Sequence, residues 1–143
     1  MKLVRLLILV AIVISPSHAG ADDPTADDPL YEACIDASDG TNFAWAACGA
    51  EQVTRASSRM AAVWESITLA LRDPATGPDL VADMKPVLVA DQAAWDAYRN
   101  VACLFYRLPS AGRENQVLGF PNCLTRFINE RTRYLRDASE LLK

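Results

Sequence analysis

The chain has 143 residues, 51% of them hydrophobic, and carries 14 basic against 18 acidic side chains for a net charge of −4. That length suits one compact domain with one core. The acidic balance speaks against nucleic acid, whose phosphates need cationic partners, and favours a cationic partner or plain solubility.

The N-terminus, MKLVRLLILVAIVISPSHAG, reads as a secretory signal over residues 1–19. Lys2 and Arg5 precede the unbroken apolar run Leu6 to Ile14, and Ser17-His18-Ala19 supplies the small residues of a cleavage site. A membrane span needs about 20 apolar residues, more than twice this run. No cysteine follows it to accept a lipid. Cleavage would leave 124 residues with 12 basic and 18 acidic groups, a net charge of −6, in a periplasmic or secreted protein without a membrane span.

It would also leave no histidine, because His18 is the only one. That removes the usual general base, the Ser–His and Cys–His pairs and the commonest metal ligand. With no Gly-rich phosphate loop and no metal-spaced cluster, the expectation is a non-enzyme without cofactor or metal.

Residues 20–29, GADDPTADDP, read as a flexible acidic leader, and residues 30–143 as a single helical domain. A short helix fits Asp28 to Ala37, with Pro29 at its first position, before SDGTN breaks the chain. A long helix follows from Asn42 to Arg72, with Val53, Ala56, Met60, Val63/Trp64, Ile67 and Leu71 at steps of three and four. DPATGPD ends it.

A third helix spans Asp79 to Arg107, with Pro86 marking either a kink or a new start. Its inner face is Leu88, Gln92, Trp95, Tyr98/Arg99, Ala102 and Phe105. Trp95 and Tyr98 are expected as core aromatics. Arg99 is expected as an internal clamp on helix-end carbonyls or on a carboxylate such as Glu130. Pro109 to Asn122 reads as the main loop, with Arg113, Glu114, Asn115 and Gln116 as its polar tip. The last helix, Asn122 to Leu142, carries Leu124, Phe127/Ile128, Arg131, Tyr134/Leu135, Ala138 and Leu141/Leu142 on one stripe. Strand signals are nearly absent. The fold class is therefore all-α: a bundle of three long helices plus a short N-terminal one.

Four cysteines, Cys34, Cys48, Cys103 and Cys123, suggest disulfides in a small exported protein, and they allow three connectivities. Sequence proximity favours Cys34–Cys48 and Cys103–Cys123, each closing a loop worth about 3 kcal/mol in the chain-entropy model.

The stretch DQAAWDAYRNVAC, Asp91 to Cys103, resembles the Gln-x-x-Trp-x-x-Tyr-Arg…Cys signature of the LprI-type lysozyme inhibitor family in Gln92, Trp95, Tyr98, Arg99 and Cys103. NCLTRFINERTRYL resembles the family's C-terminal motif more loosely, and Cys34, Cys48, Met60 and Trp64 fall at further family positions. Ser110-Ala111-Gly112-Arg113 stands where the family often has Gly-Gly-Ser, and Ala61 where an asparagine is usual.

The resemblance implies an exported bacterial helical domain with two disulfides, in a family of which some members inhibit lysozyme; the acidic chain makes a cationic, host-type lysozyme the expected protein partner. A lysozyme cleft holds two carboxylates that act as acid and nucleophile, so the tip Arg113–Gln116 is the candidate plug. The alternative is an envelope interaction module without a lysozyme target, using the acidic leader or the face of Arg126, Arg133 and Arg136.

Overall fold

The computed structural model describes residues 28–142. The signal and most of the acidic leader lie outside the described residues. Four α-helices, α1 (Pro29–Ala37), α2 (Asn42–Ala70), α3 (Pro78–Ala102) and α4 (Phe120–Glu140), make an all-α fold with no strand among the described residues.

Local chemistry sets each boundary. Asp28 caps α1: its carboxylate accepts from the Tyr31 amide at 3.2 Å, with Pro29 in the first turn. The other oxygen of Asp28 takes two bonds from the Arg55 guanidinium, at 3.0 and 2.9 Å, so the cap also ties α1 to α2. Thr41 caps α2 by accepting from the Ala44 amide. The turn before it is held by Asp39, which accepts from the amide and hydroxyl of Thr41. Those bonds hold the Asp39 carboxyl below its ordinary range. After α2, the Thr76 hydroxyl donates to the Ala70 carbonyl at 2.8 Å, and Pro78 opens α3. The helix runs on through Pro86, which settles the question in favour of one helix.

The long helices pack up, down, up. Gly49 lies against Pro121, and Arg59 reaches Asn129, so α2 and α4 are parallel. Arg131 pairs with Asp91, and Tyr98 meets Phe127, so α3 runs antiparallel to α4. At Gly49 the helices approach so closely that a Cβ would sit 2.5 Å from Pro121 Cγ; only glycine fits there without displacing α4.

The aliphatic core fills one end: Ile67, Leu71, Leu88, Leu135 and Leu142, with Met60, Val63, Trp64, Val81 and Met84 packed on it. The other end is stapled. Cys34–Cys48 joins α1 to α2, and Cys103–Cys123 joins the end of α3 to the start of α4, with Cα separations of 5.7 and 5.9 Å. This is the pairing that sequence proximity favours.

The expected loop Pro109–Asn122 is mostly not a loop. Helix α3 ends at Ala102, not Arg107, and two 3₁₀ turns follow, Leu104–Arg107 and Pro109–Ala111. Gly112, at φ +82°, reverses the chain. Helical backbone resumes at Arg113, passes through a π-helical turn at Asn115–Gly119 and runs straight into α4. Among the described residues no helix is long and apolar enough to cross a membrane.

Candidate interaction site

Two groupings of polar side chains stand out. The first is buried between α3 and α4. Arg131 projects from the middle of the inner stripe of α4 and is only 6% exposed. Its Nη1 lies 2.7 Å from Asp91 Oδ2, and its Nε donates to Gln92 Oε1 at 3.0 Å. The guanidinium also lies over the rings of Tyr134, at 4.7 Å, and Trp95, at 5.7 Å. Gln92 in turn donates to Asp96, 3.4 Å away. A cation so enclosed is held by one hydrogen bond to Gln92, by the ion pair with Asp91 and by the aromatic faces beside it. Its geometry makes it a clamp between helices.

This corrects two expectations. Arg99 is not the clamp: its partners are its own helix neighbours, Asp96 at 3.6 Å and Asn100 at 3.3 Å, and its guanidinium lies 5.2 Å from the Trp95 ring. Glu130 is exposed and is not the partner of Arg99. Tyr98 is not a core aromatic either. It is 56% exposed and touches Phe127 edge-on, and Phe105 is equally exposed. Trp95 is half-buried, serving as the floor on which Arg99 and Arg131 both rest. The sequence did carry a signal for Arg131, a lone cation in an otherwise apolar stripe; such a residue is enclosed only with a partner.

The second grouping is the elbow between Cys103 and Cys123, where Arg113, Glu114, Asn115 and Gln116 form the first helical turn after Gly112. Two of the four hold the elbow together. Gln116 donates through its side-chain amide to the Leu108 carbonyl at 3.1 Å and the Arg107 carbonyl at 3.5 Å. Asn115 donates to the Ala111 carbonyl at 2.7 Å. Arg113 and Glu114 stay exposed, with Arg113 reaching Gln116 Oε1 at 3.3 Å. Beneath them Val117 is buried. The elbow is thus closed by a disulfide and by internal amide bonds, and it presents a cation and a carboxylate outward.

A shallow open groove of about 370 Å³ lies elsewhere, between α2 and α4, lined by Arg59, Ala62, Val63, Ser66, Arg136 and Ser139. No group of three or more His, Cys, Asp or Glu side chains that could hold a metal occurs among the described residues.

Fold and site together define a small helical scaffold stapled by two disulfides, with an elbow closed by one of them and by side-chain amide bonds. The chain belongs to the lysozyme inhibitor LprI family, whose model matches residues 34–135, from the first cysteine to the core leucine of α4. No curated protein and no solved structure matches it. The two disulfides and the family point to a location outside the cytoplasm.

Proposed function

We propose that the protein is exported by the signal at residues 1–19, acts in the periplasm or outside the cell, and inhibits a cationic lysozyme by seating the elbow in its active-site cleft. The carrying observation is the closed elbow. Cys103–Cys123 ties its two ends, Gln116 and Asn115 bond its turns together, and Arg113 is left exposed at the first helical turn. An elbow already held in shape loses little entropy on docking. A guanidinium entering the cleft would pair with a catalytic carboxylate and silence it. The mature charge of −6 would steer encounter with a cationic enzyme.

A second reading keeps the scaffold but changes the target. The groove lined by Arg59 and Arg136 offers two cations to an anionic envelope partner. Cell-wall lysis by a cationic animal lysozyme, with and without the purified mature protein, separates the two. Dose-dependent loss of lysis supports the cleft reading; full lysis at saturating protein supports the second.

A further inference from the structure

Helix α3 has a second face that the fold leaves unused. Opposite Leu88, Gln92 and Trp95 run Val87, Ala90, Ala94, Ala97 and Val101, at steps of three, four, three and four. All five are exposed, Val87 by 66% and Val101 by 59%. This spacing is that of a coiled-coil seam. No charged side chain interrupts it; Asp83 closes it at the N-terminal end.

We propose that this face is a self-association surface on which a second copy of the chain docks antiparallel, α3 against α3. Three observations carry the assignment. The first is area. Tyr98 borders the stripe on α3, and Leu104, Phe105 and Leu108 follow in the turn beyond the helix; like the valines, each is 44–66% exposed. With the alanines they offer roughly 600–700 Å² of apolar surface, at or above the upper end of a monomer's largest patch and close to what each partner contributes to a stable interface. The second is symmetry. The seam reads Val, Ala, Ala, Ala, Val about Ala94. A twofold axis through Ala94 brings Val87 to Val101 and Ala90 to Ala97, the self-complementarity that an isologous dimer requires. The three central alanines let the helix axes come close.

The third is charge. The antiparallel register carries Asp83 toward the turn that holds Arg107 of the other copy, whereas a parallel one would set Asp83 against Asp83. An anionic membrane fits the face less well: α3 carries Asp79, Asp83, Asp91 and Asp96 against Lys85 and Arg99, whereas interfacial helices are rich in cations on their polar side. The surface takes in Leu104, Phe105 and Leu108 at the start of the elbow but not Arg113, and its test does not depend on lysozyme.

Analytical ultracentrifugation of the disulfide-bonded mature protein, from micromolar to near-millimolar concentration, should show a dimer. Ala94→Glu sets two carboxylates on the axis and should give a monomer with an unchanged far-UV spectrum. Ala94→Cys should cross-link to itself, and Val87→Cys should cross-link to Val101→Cys only when the two proteins are mixed. A wild-type monomer throughout overturns the proposal. So does a dimer that survives Ala94→Glu, or a Val87→Cys protein that links efficiently to itself.

Discussion

Replacing Arg131 with alanine tests the inter-helix clamp. Arg131 is almost wholly enclosed, its side chain 5% exposed, whereas the Asp91 side chain facing it is 37% exposed. The pair therefore falls between an exposed ion pair, worth under 1 kcal/mol, and a buried one whose breaking costs 3–5; about 1.5 kcal/mol is reasonable once water reaching Asp91 is allowed for. Loss of the bond to Gln92 adds about 1 kcal/mol. Loss of packing on Trp95 and Tyr134 adds about another 1 kcal/mol. The total, about 3–4 kcal/mol, should lower the thermal midpoint by roughly 10–15 °C in a domain of this size. Urea unfolding with the disulfides intact measures it directly. Arg99→Lys is the control: its partner Asp96 is 46% exposed, so the change should stay within about 0.5 kcal/mol. If Arg131→Ala unfolds within about 1 kcal/mol of wild type, or Arg99→Lys costs more than Arg131→Ala, the clamp is misassigned.

Further outcomes follow from close contacts and from burial. Gly49→Ala should cost about 1–3 kcal/mol, because the new methyl meets Pro121 at 2.5 Å and α4 must shift; an unchanged urea midpoint would mean the two helices have slack there. Burial pushes the Tyr31 phenol above its ordinary value of 10.0, against a weaker opposing effect from its bond to Asn122. The neutral phenol is thus the form that the fold favours, so its contribution is fully present below about pH 10 and is lost as pH rises through the folded-state value. Stability curves of wild type and Tyr31→Phe should diverge above that pH, with wild type falling faster; parallel curves would remove Tyr31 as the cause.

The sequence predicted α1 and α2 to within two residues at each end, because proline, glycine and capping side chains punctuate them: Pro29 opens one, Thr41 the other, and Asp73-Pro74 closes the second. The disulfide pairing was legible for a related reason, since each pair spans a single reversal. The elbow was not. Pro109, Gly112 and Gly119 look like loop punctuation, yet Gly119 sits in a π-helical turn against the Tyr106 ring, and helical backbone has already begun at Arg113. Periodicity within one helix also could not rank Arg99 against Arg131. Both lie on inner faces, and which is enclosed depends on where the neighbouring helix brings its carboxylate, as α3 brings Asp91 to Arg131. Tyr98 and Phe105 misled for the same reason: α3 lies on its neighbours through Leu88 and Asp91, and leaves those rings at the edge.

The most direct test of lysozyme inhibition by the elbow is a binding isotherm against an active cationic lysozyme for three proteins: the mature wild type, Arg113→Ala, and a leader variant with Asp22 and Asp23 neutralised. Arg113→Ala should lose on the order of 2–5 kcal/mol of affinity, and inhibition with it, while its melting temperature stays put. The leader variant should bind almost as tightly but associate more slowly, most visibly at low salt. If Arg113→Ala binds and inhibits like wild type while the leader variant loses the affinity, the elbow is not the plug.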